Sequence, residues 1–147
     1  MMRKYDIYLI EKEVANHYYQ RAGLIFQLFK DFQQPSHIQY DELKKQVEYI
    51  TKPLPIEELE DAIESAFLHT TAFFKGEKQY KLSILKTQSR ARIKMYDRLI
   101  SLEGIGGVDA ETAFFEVLRK LNPYFLAMDF TKEQYGWLTP IKTKKFI

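Results

Sequence analysis

The chain has 147 residues, 46% of them hydrophobic, with eleven Phe, ten Tyr, one Trp and no Cys. That length and apolar content suit a single domain, residues 1–147, burying about two-thirds of its unfolded surface, and they exclude a disordered chain. Missing thiols exclude disulfides, thiolate zinc sites and cysteine nucleophiles, while 22 basic against 20 acidic side chains, a formal charge of +2, make a strongly polyanion-binding protein a poor first guess.

Tyr5–Ile10 reads as a strand, and its short apolar run gives way to charge too soon for a secretory signal or a membrane span. A soluble, cytoplasmic protein is expected. From Glu11 to about Phe32 apolar residues recur at helical spacing. With Ala15 at the centre of the buried face, Ala15, Tyr19, Ala22, Phe26 and Phe29 fall together at about 100° per residue. Tyr18 and Ile25 lie beside them, and Val14 and Phe32 further round. The arc is roughly 180° wide, more than the roughly 100° stripe that docking on the chain's own core requires.

Gln33-Gln34-Pro35-Ser36 ends that helix, and Asp41 is placed to cap a second one through Ile50, with Leu43, Val47 and Ile50 on one side. Lys52-Pro53-Leu54-Pro55 stops it, because proline lacks the N–H and disfavours helix in the residue before it. Pro55 then opens a third helix with Ile56, Leu59, Ile63 and Phe67 on its apolar face. The stretch from His69 to Gln79 favours no element.

From Tyr80 the period becomes two. Leu82 and Ile84, then Ala91, Ile93 and Met95, then Leu99–Leu102 predict an antiparallel meander with one face in water. The glycines Gly104, Gly106 and Gly107 break it, and Asp109 caps a helix over Ala110–Leu121, with Phe114, Val117, Leu118 and Leu121 as its buried stripe. Phe125–Phe130 and Tyr135–Leu138 are two short strands close enough to pair. The fold class is α+β: one mainly antiparallel or mixed sheet packed by about four α-helices.

Few residues in this pattern carry chemistry. Glu103-Gly104-Ile105-Gly106-Gly107 ahead of a helix could cradle a phosphate, but it lacks the dinucleotide spacing and the P-loop lysine, which leaves a glycine turn. His17 and Glu13 have ligand-like helical spacing but no third partner, so a surface histidine is expected and no metal. Glu57, Glu60, Asp61 and Glu64 include pairs four apart that could share a proton. They read as a solvated helix start favoured by the helix dipole. Arg90, Arg92 and Lys94, with Lys142, Lys144 and Lys145, make the best case for nucleic acid, but stacking aromatics are missing from that strand. A small-molecule pocket near Trp137 and Gly104–Gly107 is a further alternative. The aromatic surplus around Val14 and Tyr18 either completes the core or plugs into a partner, and its pattern leaves both open.

Three blocks carry a family resemblance: YLIEKEVANHYYQR at 8–21, EYITKPLPI at 48–56, and ETAFFEVLRKLNPYFLAMDF at 111–130 with YGWLTPIKTKKF at 135–146. Together they resemble the sporulation inhibitor of replication family, SirA, of endospore-forming bacilli. The resemblance implies a cytoplasmic, non-enzymatic inhibitor, monomeric when unbound and without cofactor, that occupies domain I of the replication initiator DnaA as cells commit to sporulation. It implies no membrane and no direct nucleic-acid contact. Carried over by position, the family's contact surface falls on Val14, Tyr18 and Gln46, with Asn16, His17 and Arg21 as neighbours. Val14 departs from the phenylalanine expected there. The alternatives are a DNA-binding module acting at the origin and a small-molecule sensor.

Overall fold

The alternating stretches from both ends of the chain meet in one sheet. The computed structural model describes residues 2–139. Strand β1 (Met2–Leu9) is followed by helices α1 (Lys12–Tyr18), α2 (Ala22–Phe32), α3 (Tyr40–Ile50) and α4 (Ile56–Ala66). The meander β2 (Phe73–Gly76), β3 (Gln79–Ile84), β4 (Ser89–Met95) and β5 (Leu99–Ile105) comes next, then α5 (Asp109–Leu121) and the hairpin of β6 (Phe125–Asp129) and β7 (Gln134–Trp137). All neighbours pair antiparallel, in the order β2-β3-β4-β5-β1-β6-β7. The α+β expectation holds, with the sheet wholly antiparallel.

Helices cover both faces of this sheet, unequally. On one face Tyr80, Leu82, Ala91, Ile93, Met95, Ile100 and Leu102 meet Leu59 and Ile63 of α4 and Phe114 and Leu118 of α5. On the other, Tyr8, Leu126 and Met128 pack under α1, α2 and α3 through Ala15, Ile25, Phe26, Phe29 and Val47. Strands β1 and β6 are thus buried on both sides over Ile7–Leu9 and Phe125–Asp129, which is why Ile7-Tyr8-Leu9-Ile10 reads as a continuous apolar run rather than an alternation. Among the described residues, the half of the second face built by β3, β4 and β5 carries no helix and keeps its polar residues.

Several boundaries differ from the expectation. The single helix expected from Glu11 to Phe32 is two helices separated by a 3-10 turn at Tyr19–Arg21, which makes five α-helices among the described residues. Asp41 lies inside the first turn of α3 and makes no side-chain cap. Strand β5 runs on through Gly104 to Ile105 before the chain turns at Gly106, whose φ of 77° is one that L side chains rarely adopt. Asp109 does not cap α5 either. Ser89 does: its Oγ accepts the Ala110 N–H at 2.8 Å and donates to the Gly107 carbonyl at 2.7 Å. A cap supplied from another strand leaves no local sequence signal.

Three tyrosines make the fold sensitive to alkali. Burial pushes the Tyr5 phenol up to about 12, helped by its bond to Glu111, and burial pushes Tyr8 to about 12. Tyr80 is also raised, first by burial and then by its 2.6 Å bond to the Glu64 carboxylate. The folded state holds these protons where the unfolded chain releases them, near the ordinary value of about 10. Their contribution is therefore complete below about pH 10 and is lost as pH rises towards 12. In an alkaline titration, the tyrosinate absorbance of these three should appear together with the loss of circular dichroism, not before it.

Candidate functional site

Backbone bonds bring the start of α1 against the end of α3. Glu11 N donates to the Ile50 carbonyl at 2.8 Å, Lys52 N donates to the Leu9 carbonyl at 2.8 Å, and Ile10 bridges to Thr51. The end of α3 is further secured by Arg98, whose Nη1 donates to the Thr51 carbonyl at 2.9 Å, a cation placed where the helix dipole favours it. The third wall is α2. Between them lies an open apolar groove of about 540 Å³. Val14 and Tyr18 enter it from α1, Leu24, Ile25 and Leu28 from α2, and Lys45, Gln46, Tyr49 and Ile50 from α3.

The break at Tyr19–Arg21 makes this groove. Tyr19 is drawn out of the helix towards β7, where its ring stacks on Trp137 with centroids 4.9 Å apart. Trp137 Nε1 donates to the Tyr19 carbonyl at 3.0 Å, and the Tyr19 hydroxyl donates to the Thr139 carbonyl. On a continuous helix Leu24 would sit about 180° from Ala15, on the solvent side. With the turn inserted, Leu24 faces the same hollow as Val14 and Tyr18 while remaining 59% exposed. Tyr49 is 80% exposed on the opposite rim. Reading the first helix as unbroken missed Leu24 and Leu28, and Tyr49 lay outside the buried side assigned to α3.

Of the residues expected at a contact surface, Val14, Tyr18 and Gln46 line the groove together, and Asn16, His17 and Arg21 do not. Ala15 is wholly buried between Val14 and Tyr18 and turns both towards the groove's edge, half-exposed. Two of the neighbours hold Tyr18 in place. The Arg21 guanidinium lies 5.1 Å from its ring centroid, and the His17 ring meets it edge-on at 4.7 Å. Arg21 Nη2 also reaches His17 Nε2 at 3.2 Å. Asn16 is exposed and makes no side-chain hydrogen bond among the described residues.

The other chemical candidates dissolve into structure. Around Gly104–Gly107 the carbonyls are what point inward: Arg3 donates to those of Gly106 and Gly107 at 3.0 Å each, and Ser89 occupies the helix start, so no phosphate cradle remains. Glu64 is not a free acid, since it accepts from Tyr80 and pairs with Lys75 at 2.9 Å, which holds it below the usual carboxylate range. No group of three or more His, Asp or Glu residues converges among the described residues. Trp137 pairs with Leu126, beside Tyr8 of β1, whereas Gly104 pairs with Arg3. Five strand positions, about 17 Å, separate them along β1, so the two do not line one pocket as the sensor alternative had them: the hollows beside Trp137 are lined by the start of α2 and by β6 and β7, without Gly104–Gly107. Lys142, Lys144 and Lys145 lie outside the described residues.

The α1–α3 groove on this α+β scaffold, rimmed by one lysine and one glutamine and lined by no carboxylate or histidine, offers apolar area for binding and no acid–base group for chemistry. The family model described as "Sporulation inhibitor of replication protein SirA" matches residues 3–142. A protein of Bacillus subtilis (strain 168) bearing that same description is 40% identical over 149 aligned positions, covering all of both chains. The chain belongs to the SirA family, as its three motif blocks imply.

Proposed function

We propose that this protein is a cytoplasmic inhibitor of replication initiation that acts by occupation, covering a patch on domain I of the initiator DnaA. The description of its Bacillus subtilis relative supports the inhibitory role. What carries the choice of site is that Val14, Tyr18 and Gln46, separate in sequence, line a single groove. Tyr18 is the anchor, held by Arg21 and His17 so that little rotamer entropy is lost on docking. Gln46 supplies hydrogen bonds at the rim. The initiator then loses access to the factors or to the neighbouring initiator molecules that need the same patch. Such a contact buries about 1,000–1,600 Å² in total.

Titration of the protein against isolated initiator domain I tests this. Tyr18→Ala should weaken binding by about 2 kcal/mol or more, roughly thirtyfold, with the fold unchanged by circular dichroism. Unaltered affinity in that variant would remove the site. Val14→Phe should tighten binding by about 1 kcal/mol, because the larger ring fills more of the groove mouth than valine does.

A further inference from the structure

The uncovered half of the sheet sorts its charge. Strand register places Phe74, Lys81, Arg92, Glu103 and Lys4 in one row across β2, β3, β4, β5 and β1. The adjacent row on the same face is Ser83, Arg90, Ile105 and Met2, and the row on the other side holds Lys94 and Asp6. Five cations thus stand against two carboxylates, in a chain whose whole formal charge is +2. Only Arg92 is neutralised, by Glu103 at 2.7 Å. Lys4, Lys81, Arg90 and Lys94 make no ion pair among the described residues. A cleft of about 200 Å³ runs between Lys81, Ser83, Arg90, Arg92, Glu103 and Ile105, with the Glu103 carboxylate turned to Arg92.

The sequence showed three of these cations and no aromatic beside them. Strand pairing adds Lys4 and Lys81 and supplies the ring: Phe74, from the edge strand, is 59% exposed directly opposite Lys81. Cations at alternate strand positions recur about every 6.6 Å and extend over neighbouring strands. That spread suits a linear polyanion better than a compact anion held in one pocket. An exposed phenyl ring on the same face adds a stacking platform that an acidic polypeptide would leave unused. We propose that this sheet face binds single-stranded DNA, weakly and without sequence preference, independently of the α1–α3 groove. The family's description as an inhibitor of replication favours DNA over RNA as the strand met.

The test is fluorescence anisotropy of a labelled mixed-sequence single-stranded DNA oligonucleotide with the full chain at low salt. Binding should weaken with salt at a log–log slope of roughly −2 to −3, the release expected for three to four phosphate contacts. The double variant Lys81→Glu/Arg90→Glu should lose about tenfold or more in affinity, and Phe74→Ala about fivefold with the slope unchanged. Tyr18→Ala should bind the oligonucleotide normally, which separates this face from the groove. No anisotropy change at low salt would overturn the proposal, as would binding indifferent to the double variant. It would also fall if polyglutamate displaced the probe as well as unlabelled oligonucleotide does, or if duplex DNA or single-stranded RNA bound as tightly.

Discussion

Glu111→Ala should destabilise the protein by about 3–5 kcal/mol, read as a lower denaturation midpoint in urea with an unchanged slope. Glu111 is 3% exposed, and its carboxylate accepts Arg3 Nε at 2.8 and 3.0 Å and the Tyr5 hydroxyl at 2.7 Å. Arg3 in turn ties the Gly106 and Gly107 carbonyls, so one acid joins β1, the end of β5 and α5. Removing it strands a guanidinium that is only 18% exposed and a phenol that has no other acceptor among the described residues. Gly104 belongs to the same device, since a Cβ there would overlap the Glu111 carboxylate. Gly104→Ala should therefore destabilise the parent protein yet cost far less once Glu111 is alanine. A double-mutant cycle should return a coupling of about 1–3 kcal/mol, and additive losses would show that glycine is required there for its backbone instead.

Phe29→Ala should cost a comparable 3–5 kcal/mol. Phe29 is wholly buried in α2, with its ring 4.4 Å from that of Tyr8, and it closes the core between the groove helices and the sheet. Its truncation leaves a cavity that α2 cannot collapse into without abandoning the Ile25 and Phe26 contacts. Leu24→Ala is the matched control on the same helix. That side chain faces the groove and solvent, so its loss should move stability by no more than about 0.5 kcal/mol. If the docking proposal holds, it should nonetheless weaken initiator binding. Stability and binding would then separate between two apolar residues five positions apart on one helix.

Much of this architecture is legible in residue order, because apolar periodicity is a local record of which side of an element is buried. Alternation over Tyr80–Leu102 placed β3, β4 and β5, the 3–4 spacing of Leu59 and Ile63 placed α4, and that of Phe114 and Leu118 placed α5. Prolines and glycines marked most of the boundaries, and the motif blocks indicated the family. Apart from the short strand β2, which pairs with the strand that follows it, the features absent from that local record depend on residues far apart in the chain. Tyr19 leaves its helix because Trp137, 118 positions later, offers a ring to stack on and an N–H for its carbonyl. Ser89 caps a helix from a neighbouring strand, and Arg3 reaches an acid 108 positions away. The groove depends on the first of these, since a helical wheel assumes an unbroken axis and a long-range contact interrupts it after Tyr18. Periodicity reports burial along one element. Which elements meet, and where a helix must bend to let them, is decided by contacts that form only when the chain has closed.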